Sequence, residues 1–261
     1  MTHDDLNLFD EIERHNRCIY VLNQQLTKVV PQHRHKQGHI LVVMSGVATL
    51  NVERNAFFIP YGYFVWIPAG MLHRVSFEEN SIRLLNIYFP QELSHSDFYK
   101  NAGIYPMTSL LYHTLEYVQD RTDEYTADDW HYDLLGSMLR FLPHTVPQRR
   151  SQLWLPTTDH PTVMRITEII QHNYMTPLTA QHVANEVGLS VRTLSRYMQN
   201  ELGLSFVHYL RKYRIVMAIK KMVKSEDSIT NIAYSVGYES LTAFSNSFYL
   251  VTGYRPSQFL K

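Results

Sequence analysis

The 261-residue chain holds 24 Lys+Arg against 24 Asp+Glu, a formal net charge of +0, with 45% hydrophobic residues. That length suits two domains with ample cores, and a single cysteine, Cys18, excludes an intramolecular disulfide framework. No run of about 18 apolar residues marks a transmembrane helix, and Met1-Thr-His-Asp-Asp5 lacks the basic and apolar regions of a secretory signal, so a cytoplasmic protein without a membrane partner is expected.

From Cys18 to about Phe89 the chain reads as short strands punctuated by Gly and Pro, the pattern of a β-barrel or sandwich. Ile40–Met44 and Val47–Val52 flank Ser45-Gly46; Phe64–Ile67 precedes Pro68-Ala-Gly70; Ile82–Phe89 stops at Pro90. Histidines punctuate this stretch. His33 and His35 are two apart, so on a strand they face one side; His39 follows, then His73 after Pro68-Ala-Gly70. The pattern His33-x-His35, His39, Gly46, then Gly62, Pro68, Gly70 and His73, resembles the cupin fold. Two departures are visible: His39 stands where that family usually has a glutamate, and Phe77 where an asparagine often closes the second motif. Cupin enzymes hold a divalent metal with this arrangement, and three or four imidazoles suit Zn, Ni, Cu or Fe.

Three readings of His33, His35, His39 and His73 therefore stay open: a metal site, an effector pocket shared with Trp66, or plain structural histidines. Imidazole also titrates near neutrality, which admits pH sensing. Tyr61, Tyr63, Phe64 and Trp66 form an aromatic cluster that either closes an apolar pocket or is simply core. With no nucleophile–base pair and no carboxylate among the histidines, catalysis is not expected, and neither is an obligatory cofactor.

Two helices follow, Thr108 to about Thr122 and Asp128 to Leu142. The first carries Leu111, Leu115 and Val118, with Leu110 and Tyr117 at its edge, as a dimer surface or as packing for its own barrel. The second presents Trp130, Leu134, Leu135, Met138 and Leu142 on one face. Pro143 to Pro161 is proline-rich with few apolar residues and reads as a linker. The domains expected are thus 1–145, a linker at 146–160, and 161–261.

The last hundred residues state one pattern twice. Thr179, Ala184 and Gly188 are matched by Ser228, Ala233 and Gly237, each pair 49 positions apart. A small residue lets two helices approach, and glycine suits the turn between them. Ser190 caps the second helix of the first copy, and Glu239 or Ser240 that of the second. Apolar residues follow at helical spacing: Leu194 and Met198, Phe244 and Phe248. Between the copies, Ser205 to Lys224 reads as one helix of about 20 residues, roughly 30 Å long, close to the ~34 Å after which a groove returns to the same face of DNA. Residues 161–261 hold 11 Lys+Arg against 6 Asp+Glu, net +5, leaving −5 on the remainder. The basic excess lies where phosphate contact is expected, with Arg211, Lys212, Arg214, Lys220 and Lys221 on the connector.

This combination, with the closing Gly253-Tyr-Arg-Pro256-Ser-Gln-Phe, resembles the AraC/XylS family of bacterial transcription regulators over Pro161 to Lys261. The resemblance implies an α+β chain: an N-terminal cupin-like effector domain, β-barrel followed by helices, and an all-α DNA-binding domain with two helix-turn-helix motifs joined by a long helix. It implies promoter DNA, a small-molecule effector, RNA polymerase and a second copy of the chain as partners. Matched to the family pattern, the groove-facing residues are Arg192, Ser195 and Arg196 beside the cap Ser190, and in the second copy Leu241, Thr242, Ser245 and Asn246. Relatives often carry a basic residue where Asn246 stands, so the first copy is expected to supply most base discrimination. The alternative function is a metal-sensing regulator, or a metal-dependent cupin enzyme fused to a DNA-binding domain.

Overall fold

A computed structural model describes residues 10, 12–15, 17–146 and 151–259. The chain divides into two compact units: residues 1–53 with 59–151, and residues 54–58 with 152–261.

The first unit is β-rich. Strands β1 (Ile19–Leu26), β2 (Val30–His33), β3 (Gly38–Val43), β4 (Val47–Val52), β5 (Asn55–Pro60), β6 (Tyr63–Ile67), β7 (His73–Phe77) and β8 (Ile82–Phe89) follow in chain order, then β9 (Gly103–Pro106) and β10 (Asp123–Tyr125). One antiparallel sheet runs β10-β1-β8-β3-β6-β9; elsewhere β7 pairs with both β4 and β2. β3 is buried along its whole length because both of its faces are covered. Alternation sends Ile40 and Val42 into a large core with Phe64, Trp66, Leu85 and Ile87. His39 and Leu41 point the other way, toward Leu84, Asn86 and Tyr88 of β8.

Two helices close that large core. Helix α1 (Ser109–Val118) starts at Thr108, whose hydroxyl accepts from Leu111 N. Leu111, Leu115 and Val118 are buried in the unit's own core, while Leu110 and Tyr117 are 55% and 50% exposed. The stripe expected as dimer surface or barrel packing is therefore barrel packing. The helix stops short of Thr122 because Gln119 O accepts from the Asn23 side chain and β10 begins at Asp123.

Helix α2 (Trp130–Thr145) is capped by Asp129 rather than beginning at Asp128, and it continues through Pro143 instead of ending at Leu142. Proline at position 143 cannot donate to the carbonyl four residues back. The Tyr99 hydroxyl donates to Leu139 O instead, so that acceptor stays satisfied and the helix persists. Leu135, Met138 and Leu142 are buried as expected, but Trp130 and Leu134 are 57% and 37% exposed and lie outside the core.

In the second unit, residues 55–57 pair antiparallel with β11 (Trp154–Pro156). The segment expected as a linker therefore carries a strand and buried Leu153 and Leu155; positions 147–150 of it lie outside the described residues. Six helices follow: α3 (Pro161–Asn173), α4 (Ala180–Glu186), α5 (Val191–Leu202), α6 (Phe206–Lys224), α7 (Ile229–Ser235) and α8 (Leu241–Thr252). Val163, Ile166, Ile170, Val183, Leu194, Met198, Ile215, Ile219, Ile232, Phe244 and Phe248 form the unit's interior.

Candidate nucleic-acid interface and histidine cluster

α4 and α5 form the first helix pair. Thr179 accepts from His182 N and Ser190 from Thr193 N, so side chains hold the open N-termini of both helices. Between them Gly188 takes φ +69°, and the chain folds back through Leu189 N donating to Ala184 O at 2.8 Å. Ala184 is fully buried where the helices meet. Leu194, Met198 and Leu202 turn inward. Arg192, Ser195 and Arg196, at positions i, i+3 and i+4, turn outward and are exposed, so they share one solvent-facing stripe. Ser190 is exposed too, with its hydroxyl committed to the cap and 2.9 Å from Thr193 Oγ1.

α7 and α8 repeat this geometry. Ser228 caps α7, and Ser240, not Glu239, caps α8. Ala233 is fully buried, and Tyr238 N donates to Ala233 O at 3.1 Å. Gly237, at φ +88°, leaves no room for a methyl group: a Cβ would stand 2.5 Å from Tyr174 O. Leu241, Thr242 and Asn246 are exposed and Ser245 is half-buried.

One cation at this surface escaped the sequence reading. Arg255 Nη1 donates to Ser245 Oγ at 3.3 Å and to Asn246 Oδ1 at 3.1 Å, and its guanidinium lies 5.1 Å from the Tyr249 ring. A positive charge thus lies against position 246, carried by a residue nine positions later. The turn Gly253-Tyr-Arg-Pro was the available signal, since it reverses the chain beside the end of α8.

The connector α6 spans 19 residues, about 28 Å at 1.5 Å per residue. Two of its cations are not free for phosphate. Lys212 is 6% exposed, with Nζ 3.3 Å from Trp154 O and 3.7 Å over the Trp154 ring. Burial pulls its ammonium down to about 8. Arg214 donates to Tyr174 O and Thr176 O, both at 2.8 Å, and burial lowers its pKa. Of the five basic residues grouped on the connector, these two pin α6 to its own unit.

Lys212 gives a pH-dependent prediction. The unfolded chain holds this proton up to about pH 10.5 and the native state only to about 8, so confining the charge costs most below pH 8. Lys212→Met is expected to raise the thermal midpoint at pH 7. The gap from the parent should close as pH climbs from 8 toward 10.5, as read by paired melting curves; a constant gap would contradict it.

In the first unit, four histidines converge. His33 and His73 are cross-strand partners on β2 and β7, with ring centroids 4.2 Å apart. His35 lies 4.7 Å from His39 and 5.2 Å from His73. Tyr88 stacks on His39 at 4.8 Å. Three rings are locked the same way: Nδ1 of His33, His35 and His73 meets the carbonyls of Pro31, Gln37 and Met71 at 2.8–2.9 Å. A carbonyl only accepts, so Nδ1 carries the proton and Nε2 keeps its lone pair. One ring nitrogen from each of these three lies within 4.8 Å of the others. His35 Nε2 and His39 Nδ1 are buried without a hydrogen-bond partner.

Burial pushes every one of these imidazoles below the usual range, and repulsion from neighbouring histidines adds to it for His35, His39 and His73, taking His35 to about 4 and His73 to about 3. They are neutral at physiological pH, which removes the pH-sensing reading. Acid destabilises this arrangement: the unfolded chain takes up protons near pH 6.5, well before the folded one.

Trp66 does not join the histidines. It sits on the opposite face of the sheet, edge-on to Tyr99 and tilted against Phe89, with Nε1 donating to Tyr99 O at 2.8 Å. Strand alternation decides this, because Trp66 is the register partner of Ile40 and not of His39. Asn86 and Tyr88 do line the histidine cavity. Their signal was polar residues at period two within the apolar run Ile82–Phe89. The cavity itself offers about 20 Å³, room for a water molecule or an ion. Cys18 stands apart from it, buried beside Glu124, with its thiol pushed up to about 11 and so unreactive.

Comparison with known proteins follows this division. An AraC-like ligand binding domain matches residues 19–116, and a helix-turn-helix domain matches residues 183–261. The HTH-type transcriptional regulator NimR of Escherichia coli K12 is 27% identical over 96% of this chain and 90% of its own. The HTH-type transcriptional activator RhaS of Escherichia fergusonii is 24% identical over 87% and 86%. Among solved structures, the C-terminal domain of AraT, a response regulator from Geobacillus stearothermophilus, is 36% identical over 38% of this chain and 83% of that one, with TM-score 0.37. Fatty-acid-bound ToxT from Vibrio cholerae is 16% identical over 94% and 96%, with TM-score 0.38. No helix among the described residues is long and apolar enough to cross a membrane.

Proposed function

The chain belongs to the AraC family of HTH-type transcriptional regulators, and we propose that it reads promoter DNA with two outward helix faces of different chemistry. The exposed Arg192–Ser195–Arg196 stripe carries this reading. Arginine grips guanine O6 and N7 with two hydrogen bonds, so α5 reads base edges directly. α8 offers Leu241 and Thr242 to thymine methyls, while Arg255, held over Ser245 and Asn246, supplies charge for a phosphate or a guanine. The task is regulation rather than catalysis.

Control comes from the first unit. An effector that binds one conformation better than another shifts the population and so changes transcription through RNA polymerase. The outer faces of α1 and α2 expose Leu110, Tyr117, Trp130 and Phe141, an apolar patch suited to a second copy of the chain. Titration of a promoter fragment tests the whole reading: affinity should fall steeply and log-linearly with salt, and Leu110→Ser with Tyr117→Ser should weaken binding to a two-site promoter. Salt-independent binding would sink it.

The histidine cluster favours a second reading, a divalent metal that the regulator senses or keeps. Three imidazoles share Nδ1 anchoring by carbonyls, the outer-shell arrangement that orients ligating histidines. The donor set fits: neutral, buried nitrogen ligands suit Zn, Ni, Cu or Fe, and His39 adds a fourth ring where a carboxylate would add charge. His33, His35 and His73 would hold the ion. Elemental analysis of protein equilibrated with zinc is expected to find one equivalent, lost in the His33→Ala, His73→Ala double variant. No zinc above that variant's level would exclude it.

A further inference from the structure

The AraC-like domain must place its effector somewhere, and size excludes the histidine cavity: about 20 Å³ admits a water or an ion only. A second cavity, of about 340 Å³, lies between α1 and the outer face of the long sheet. That volume falls within the range of small-molecule sites. We propose that this cleft, outside the barrel, is the effector site, and that it takes a flat, uncharged aromatic molecule. The proposal rests on effector control of the first unit.

The walls define that chemistry. Val42, Met44, Met107 and Leu115 make an apolar floor, and the thioethers favour contact with an aromatic ring. Tyr61 and Tyr112 stand at the rim. Two ionic residues also line the cleft, but each already has a partner. Arg83 donates to Asp120 Oδ1 at 2.9 Å and to Asn23 Oδ1 at 3.1 Å, and Glu116 takes His113 at 3.2 Å. Both side chains also keep contact with solvent, Arg83 44% and Glu116 52% exposed, so neither is a desolvated charge awaiting a counter-ion, and a neutral guest is preferred over an anion or a cation.

The position suits a switch. Leu115, Tyr112 and Glu116 come from α1, whose opposite face exposes Leu110 and Tyr117. A guest wedged against the inner face of this helix bears on the outer one.

The full-length protein should be titrated with N-phenyl-1-naphthylamine, a neutral aromatic fluorophore, alongside promoter binding of the same samples. We expect saturable enhancement with one probe per chain. Ser45→Trp and Glu116→Trp, which fill the cleft from opposite walls at exposed positions, should each weaken probe binding about tenfold or more, with the parent's far-UV circular dichroism. His33→Ala with His73→Ala, in the barrel, should leave probe binding unchanged. Absence of saturable binding, wild-type affinity in both tryptophan variants, or loss in the histidine double variant would each overturn the proposal. Loss of promoter binding by the unliganded parent would instead count against the regulator reading.

Discussion

Arg196→Ala is expected to flatten the protein's preference for its operator over a base-substituted version by roughly 1–3 kcal/mol, about ten- to a hundredfold. Binding to unrelated DNA should fall far less. Arg196 is exposed on α5, on the stripe it shares with Arg192 and Ser195, and its guanidinium lies 5.9 Å from the neighbouring Tyr197 ring. Removing it leaves the interior residues Leu194 and Met198 untouched, so stability should change little. Competitive binding to paired operators measures the effect. Equal loss on specific and unrelated DNA would make Arg196 a phosphate contact; unchanged discrimination with loss in Asn246→Ala would transfer the principal reading to α8.

Gly237→Ala is expected to be the more damaging of the two at the level of folding. Two costs add. The backbone sits at φ +88°, which a side chain resists by about 1–2 kcal/mol. The new methyl would also press on Tyr174 O at 2.5 Å and on Arg214 Nη2 at 2.8 Å. The carbonyl belongs to backbone and cannot swing aside, and Tyr174 O is the acceptor that holds Arg214. One methyl group thus strains the turn and disturbs the anchor of α6 together. A total near 3 kcal/mol or more is in keeping with the large end of single substitutions. Gly188→Ala is the internal control: it shares the positive φ but has open space around its Cβ, so it should cost clearly less. Denaturant melts of the two variants compare them, and equal losses would contradict the steric argument.

Much of this was legible in the chain. The repeated small residue, glycine and capping hydroxyl are local signals, and each landed on the element it announced, with Ser190 and Ser240 as caps. The period-two spacing of His33 and His35 likewise foretold convergence, as did His73 beyond Pro68-Ala-Gly70. What stayed hidden depended on partners distant in sequence. Lys212 reads as one more surface cation until Trp154 covers it. Pro143 reads as a helix stop until Tyr99 supplies the missing donor. Trp66 and His39 belong to neighbouring strands, and only their register shows that they face opposite sides. The size of the histidine cavity is likewise a property of packing that no spacing of residues encodes.

Arg255 bears on how such proteins can be recombined. A chimera that transplants only Leu241–Thr252 into another scaffold would carry Ser245 and Asn246 without the guanidinium they hold. The hydrogen-bonded unit at α8 therefore extends into the short turn of helix Pro256–Gln258 that Arg255 caps. Exchanges drawn at helix boundaries would move half of this hydrogen-bonded surface and leave its charge behind.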